Sequence, residues 1–177
     1  MATTQILFAG FGGQGILFSG KFLAYEGLLE EREVSWLPSY GPEMRGGTAS
    51  CSVILSDTKI GSPIVNDPDC LIAMNLPSLD KYESTTVSGG KIFVDSSLIG
   101  RKVERTDVEV YYVPASGLAN EKNLKTLANM IITAKVISAV PEIGSDNLEA
   151  ALNKVISARH QDMLGYNLDA LKLGAQQ

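Results

Sequence analysis

At 177 residues the chain is long enough for one domain with a real hydrophobic core. Its 45% hydrophobic and 20% charged residues match an ordinary globular composition. The net charge of −5 argues against nucleic acid or an anionic membrane surface as a partner. No apolar run reaches the ~20 residues of a membrane span. Met1-Ala2-Thr3-Thr4-Gln5 has no basic region ahead of the first apolar run, so no signal peptide is expected and the location expected is cytoplasmic.

The first element is a buried strand, Ile6-Leu7-Phe8-Ala9, running into Gly10-Phe11-Gly12-Gly13-Gln14-Gly15 and then a long apolar-rich helix from about Gln14 to Glu30. A strand, a glycine turn and a helix N-terminus can aim several backbone N–H groups and the positive end of the helix dipole at one point. The stretch therefore reads as an anion-binding loop for a phosphate-bearing ligand. Glycine removes the side chains that would block a phosphate and permits positive φ. The bland alternative is that these glycines only let strand and helix pack closely.

Gly10, Gly12 and Gly15 fit G-x-G-x-x-G, a weak signal alone. The dinucleotide fingerprint also wants an acid at the end of the second strand. Here that strand, Glu33-Val34-Ser35-Trp36-Leu37, ends in Pro38-Ser39-Tyr40. A P-loop fails as well, because Ile16-Leu17 stands where Lys-Ser/Thr belongs.

The loop Ser39-Tyr40-Gly41-Pro42-Glu43-Met44-Arg45-Gly46-Gly47 follows, with Glu43 and Arg45 fenced by glycines. It reads either as a loop presented to a partner or anionic ligand, or as a surface turn with a weak ion pair. Thr48 to Leu55 is a third strand. Ile60 to Val65, broken by Gly61 and Pro63, is at best an edge strand. Cys70 to Met74 is a buried strand and Asn75 an N-cap for a short helix. Lys91 to Asp95 and Val108 to Val113 are further strands, and Pro114 to Ala119 an irregular link.

The last third reads as helical: Leu124 to about Pro141, Leu148 to Ala158, and Met163 to Leu173 with Gly174 ending it. Asn129 and Thr133 interrupt the first of these; Asn129 reads as facing either a ligand or solvent, with solvent or a local backbone bond favoured. Strands alternating with helices early and helices clustering late give a three-layer α/β/α domain with a mixed, mainly parallel sheet. Its first βα unit is Rossmann-like. No repeat, low-complexity segment or linker divides residues 1–177, so one domain is expected.

Cys51 and Cys70 fit neither C-x-x-C chemistry nor a metal site, and read as buried thiols. His160, the one histidine, sits between Arg159 and Gln161 on a polar helix face. Neither a catalytic triad nor a metal site is expected, and no residue of the chain is singled out as catalytic.

Two passages, GFGGQGILFSGKFLA and PSYGPEMRGGTASCSVILSD, in that order and spacing, resemble the gamma subunit of 2-oxoacid:ferredoxin oxidoreductases. The length and the helical tail through Tyr166-Asn167-Leu168 fit too. The resemblance implies a non-catalytic part of a complex that converts a 2-oxoacid, coenzyme A and oxidised ferredoxin to an acyl-CoA, carbon dioxide and reduced ferredoxin. It implies thiamine diphosphate, Mg²⁺ and iron–sulfur clusters in the alpha, beta and ferredoxin-like delta subunits, and ferredoxin as a partner through the complex. It implies that Gly10, Gly12, Gly13, Gln14 and Gly15 face the phosphate-bearing part of coenzyme A. It implies that Tyr40, Gly41, Pro42, Glu43, Met44, Arg45, Gly46 and Gly47 face the catalytic partner. The wording of the motifs leans toward the 2-oxoglutarate type, with branched-chain 2-oxoacids and pyruvate behind it. Two readings stand beside this one: a purely structural subunit, and a stand-alone nicotinamide- or flavin-dependent oxidoreductase.

Overall fold

The computed structural model describes residues 3–41, 47–124 and 126–177. Among these residues six strands build one sheet: β1 (Thr3–Phe11), β2 (Glu33–Tyr40), β3 (Thr48–Ser56), β4 (Cys70–Ala73), β5 (Lys91–Asp95) and β6 (Glu109–Val113). Their order is β2-β3-β1-β4-β5-β6. β3 runs antiparallel to both β1 and β2, while β1, β4, β5 and β6 pair in parallel. The sheet is thus mixed and mainly parallel, as the alternation of elements predicts. The central strands β4 and β5 are continuous apolar runs because both of their faces are covered.

Among the described residues six α-helices cover the sheet: α1 (Ile16–Leu29), α2 (Leu76–Tyr82), α3 (Ala115–Glu121), α4 (Ala128–Ala139), α5 (Leu148–Val155) and α6 (Met163–Ala175). Strand alternation divides the core between the two faces. Ile6 and Phe8 of β1 join Cys51 and Val53 of β3 in a large cluster that takes in α1, α3, α4, α5 and α6. Leu7, Leu71 and Ile92 point the other way, into a smaller cluster with Leu79 of α2 and Ile99. α1 lies tight on β3 because Gly20 and Gly27, two turns apart, face it. A Cβ on Gly20 would come within 2.3 Å of Cys51 Sγ, and one on Gly27 within 2.6 Å of Leu55 Cδ2.

The edge strand β2 is the least covered. Trp36, Leu37 and Tyr40 are all exposed, and Pro38 is tolerated because an edge strand need not donate on both sides.

Five local expectations change. Residues 60–65 form no strand, since Gly61 and Pro63 break any ladder. Residues 115–121 form α3 rather than an irregular link, and α4 begins at Ala128 rather than Leu124. Gly174 lies inside α6: it faces α4, where a Cβ would come within 2.0 Å of the Ile131 carbonyl oxygen. α5 stops at Val155, three residues early.

Candidate functional site

The glycine turn, residues 12–15, links the carboxyl end of β1 to α1. Gln14 staples it to the sheet. Its Oε1 accepts from the Phe11 N–H at 2.7 Å, and its Nε2 donates to the Met74 carbonyl beyond β4 at 3.0 Å. Asn129 of α4 holds the opposite side. Its Nδ2 donates to the Gly15 carbonyl at 3.2 Å and to Ser19 Oγ at 3.1 Å. Gly15 is the left-handed N-cap of α1, with φ +76°, and a Cβ there would fall 2.5 Å from Asn129 Nδ2. Gly13 also has positive φ, +95°, and its Cα faces open space.

Held this way, the turn leaves amides unused. Gly12 N–H donates to the Gly47 carbonyl, Gln14 N–H to Phe11, and the first helical bond runs from Ser19 to Gly15. Among the described residues no acceptor takes the N–H of Gly13, Gly15, Ile16, Leu17 or Phe18. Five amides, four of them at the start of a 14-residue helix, are therefore without an acceptor among the described residues, beside the positive end of the helix dipole.

The sequence-predicted loop residues divide accordingly. Gly13 faces open space, and Gly15 faces Asn129. Gly10 is buried in β1, where a Cβ would meet Gln14 Oε1 at 2.6 Å. Gly12 and the Gln14 side chain are spent on holding the turn. Of the second stretch, Tyr40, Gly41 and Gly47 are described, and Pro42, Glu43, Met44, Arg45 and Gly46 lie outside the described residues. The Gly12–Gly47 bond, 2.9 Å, brings the base of that loop against the glycine turn, so the two motifs meet in space. Tyr40 is half exposed at the end of β2.

The turn stands at the point where the sheet order reverses. From β1 the chain leaves by α1 on one face, and from β4 by α2 on the other. In open α/β sheets such a crevice at the carboxyl ends is the usual ligand position. Two cavities open beside it. One, about 380 Å³, lies between the first turn of α1 and residues 126–129 and 155–167. The other, about 300 Å³, reaches Met74, Leu98, Ser116 and Asn120. Both include Gly13, so the amides have a route from outside. A dinucleotide arrangement is a poor fit. β3 separates β2 from β1, which puts the end of β2 roughly 10 Å from the turn. No carboxylate stands there in Pro38-Ser39-Tyr40.

The other two helices that follow strands directly are closed by the chain itself. Asn75 Oδ1 caps α2 by accepting the Ser78 N–H at 2.8 Å, as the sequence predicts. Asp95, fully buried at the end of β5, accepts from Ser97 N–H, from Ser116 N–H and, at 2.5 Å, from Ser116 Oγ at the start of α3.

Sequence reasoning missed two of these side chains. Asn129 is buried, at 3% exposure, rather than solvated. The signal available was a polar pair, Asn129 and Thr133, in a helix otherwise apolar. Asp95 is an acid directly after an apolar strand, with serines following at positions 96 and 97. The cysteine reading holds: both thiols are unpaired and buried, and burial pushes each up to about 12. Thiols so shifted are poor nucleophiles at neutral pH. His160 is exposed at the rim of the larger of the two cavities. Among the described residues no cluster of His, Cys, Asp and Glu is arranged to hold a metal, and no helix is long and apolar enough to cross a membrane.

Comparison with known proteins follows the same lines. The sequence profile of the family described as pyruvate ferredoxin/flavodoxin oxidoreductase matches residues 5–177. Subunit VorA of ketoisovalerate oxidoreductase from Methanothermobacter thermautotrophicus is 35% identical over 173 residues, covering 97% of this chain and 36% of that protein. The chain thus spans about a third of the length of that relative. Subunit KorC of 2-oxoglutarate synthase from Methanocaldococcus jannaschii is 32% identical over 151 residues, 84% of this chain and 81% of that one. Among solved structures, the gamma subunit of keto/oxoacid ferredoxin oxidoreductase from Geobacter sulfurreducens superposes with TM-score 0.82 at 24% identity, covering 98% of this chain and 96% of that one. The 2-oxoglutarate:ferredoxin oxidoreductase from Magnetococcus marinus, with 2-oxoglutarate, coenzyme A and succinyl-CoA bound, superposes with TM-score 0.88 at 23% identity, covering 99% of this chain and 31% of that one. At such identities the superpositions establish a shared fold.

Proposed function

The chain belongs to the pyruvate ferredoxin/flavodoxin oxidoreductase family, as a domain of its gamma-subunit type, and on that premise we propose that its glycine turn holds a phosphate of coenzyme A within a larger 2-oxoacid:ferredoxin oxidoreductase. The complex would oxidatively decarboxylate a 2-oxoacid, of which 2-oxoglutarate is the one favoured, and pass the electrons to ferredoxin. Thiamine diphosphate, Mg²⁺ and iron–sulfur clusters would be held by alpha, beta and ferredoxin-like delta partners in the cytoplasm. This chain would be one domain with no catalytic group of its own.

The observation that carries the reading is the set of five unserved amides at the open start of α1. Phosphate oxygens are anionic acceptors and can take several N–H bonds at once, and the helix dipole adds attraction. Gly13 is where the ligand would come closest, since its missing side chain leaves open space. The half-exposed edge strand supports the partner assignment. Trp36 and Tyr40 share one face of this edge strand and are exposed there, apolar surface of the kind that partner proteins cover. Because Gly47 is bonded to Gly12, a partner seated on the Tyr40–Gly47 loop would also sit beside the coenzyme.

The test is kinetic. The isolated chain should show no 2-oxoacid oxidation, and co-expression with its partners should restore it. Gly13→Val in the assembled enzyme should raise the KM for coenzyme A by roughly tenfold, about 1.4 kcal/mol, and leave the KM for the 2-oxoacid unchanged. An unchanged coenzyme A requirement would end the ligand assignment and favour a purely structural turn.

A further inference from the structure

We propose that the cavity at the far end of α1 from the glycine turn binds a free amino acid with a large apolar side chain, through Glu30, Asp146 and Lys172. This cavity, about 710 Å³, lies between α4, α6, the end of α1 and residues 141–148. α1 has 14 residues, so its two ends stand roughly 20 Å apart. The site is therefore separate from the glycine turn and independent of the coenzyme A reading. Its apolar walls include Ile137, Ile143, Leu148, Leu168 and Leu171. Ile137, Ile143 and Leu171 are already buried by the fold. An apolar hollow of this size, formed before any ligand arrives and carrying a few polar groups, has the character of a small-molecule site.

The polar groups define the occupant. Glu30, Asp146 and Lys172 line the hollow, and among the described residues none of the three takes part in an ion pair. Glu30 is set in place by the chain. A Cβ on Gly144 would come within 1.3 Å of its Oε1, so a residue with no side chain leaves room for this carboxylate. The two acids also act on a common neighbour. Glu26, one turn before Glu30, is fully buried; its Oε1 accepts the Asn147 N–H, and its Oε2 has no partner among the described residues. Burial holds the Glu26 carboxyl above its ordinary range, and the charges of Glu30 and Asp146 push the same way. Negative charge crowded without a counter-charge favours a cation, and Lys172 on α6 favours an anion. An α-amino acid carries an ammonium and a carboxylate on one carbon, and a large apolar side chain would fill the hollow. A molecule with a single charge answers only one side.

The experiment is calorimetric titration of the full chain with three compounds that share a phenylethyl body. They are L-phenylalanine, phenethylamine, which lacks the carboxylate, and 3-phenylpropionate, which lacks the ammonium. Phenylalanine should bind roughly tenfold more tightly than either of the others. Glu30→Gln should weaken phenylalanine and phenethylamine and leave phenylpropionate unchanged. Lys172→Met should weaken phenylalanine and phenylpropionate and leave phenethylamine unchanged. The compound that each variant retains shows that it has folded. Absence of phenylalanine binding overturns the proposal, and so does binding of either single-charge compound as tight as that of phenylalanine. A Glu30→Gln chain that binds phenylalanine normally but associates more weakly with its partner subunits would give the hollow to a protein segment, and overturns it as well.

Discussion

The helices that follow strands directly begin in two different ways. At the start of α2 the Asn75 side chain takes the Ser78 N–H, and at the start of α3 the Asp95 carboxylate takes the Ser116 N–H and Ser97 Oγ the Gly117 N–H. α1, the longest of the three, starts at a glycine with no capping side chain. Its turn is nonetheless the most firmly held, by Gln14 on the sheet side and Asn129 on the helix side. Rigid support combined with unserved donors is what a preorganised anion site requires, because the loop need not be ordered when the ligand arrives. The comparison separates groups that maintain the fold from groups held ready for a ligand.

Substitution at Asp95 should give the largest effect, and only on stability. Asp95→Ala strands the Ser97 and Ser116 donors in a buried site and should cost about 3 kcal/mol, measured by urea unfolding. Coenzyme A affinity of whatever folds should not move. Gly15→Ala should cost about 2 kcal/mol, through left-handed strain and the collision with Asn129. Unlike Asp95→Ala it should also weaken coenzyme A binding, and a variant that lost stability alone would blur the distinction. Asn75→Ala removes one cap and should cost about 1 kcal/mol, again with no effect on the ligand.

The smallest effect concerns Glu26 of α1, far from the turn. It is buried, its Oε1 accepts the Asn147 N–H at 2.9 Å, and its Oε2 has no partner among the described residues. Burial holds this carboxyl above its ordinary range despite that amide, and the charges of Glu30 and Asp146 push the same way. A raised folded-state value means that the native chain holds the proton more tightly than the unfolded chain. The contribution is complete at pH below the unfolded value and is lost as pH rises through the folded one. Glu26→Gln keeps the acceptor for Asn147 and removes the titration. Its urea midpoint should gain on the parent between pH 4 and pH 8, and a parallel pair of curves would contradict the assignment.

The fold was largely legible because its signals are local. An apolar run ending in glycines marks β1 and its turn, Asn75 before Pro77 marks α2, and the apolar strands β4 and β5 announce their burial. What stayed hidden depends on partners distant in sequence. Residues 115–121 look irregular, with Pro114 before them and Gly117 within, yet Asp95 holds them in α3 from 21 residues away. Asn129 meets Gly15 across 114 residues, and nothing beside it in the chain reveals that contact. The turn was legible in outline, since glycine spacing marked Gly10, Gly12 and Gly15 and the family resemblance added Gly13 and Gln14. Which of these bonds hold the turn was not, because Gly12 and Gln14 meet partners distant in sequence, Gly47 and Met74.

Hydrogen–deuterium exchange on the assembled complex, with and without saturating coenzyme A, tests the open start of α1 most directly. Peptides covering Gly13 to Phe18 should become strongly protected when coenzyme A is added, while those covering Ser116 at the capped start of α3 should not change. Unaltered exchange across Gly13 to Phe18 in a complex that turns over with coenzyme A would contradict the account.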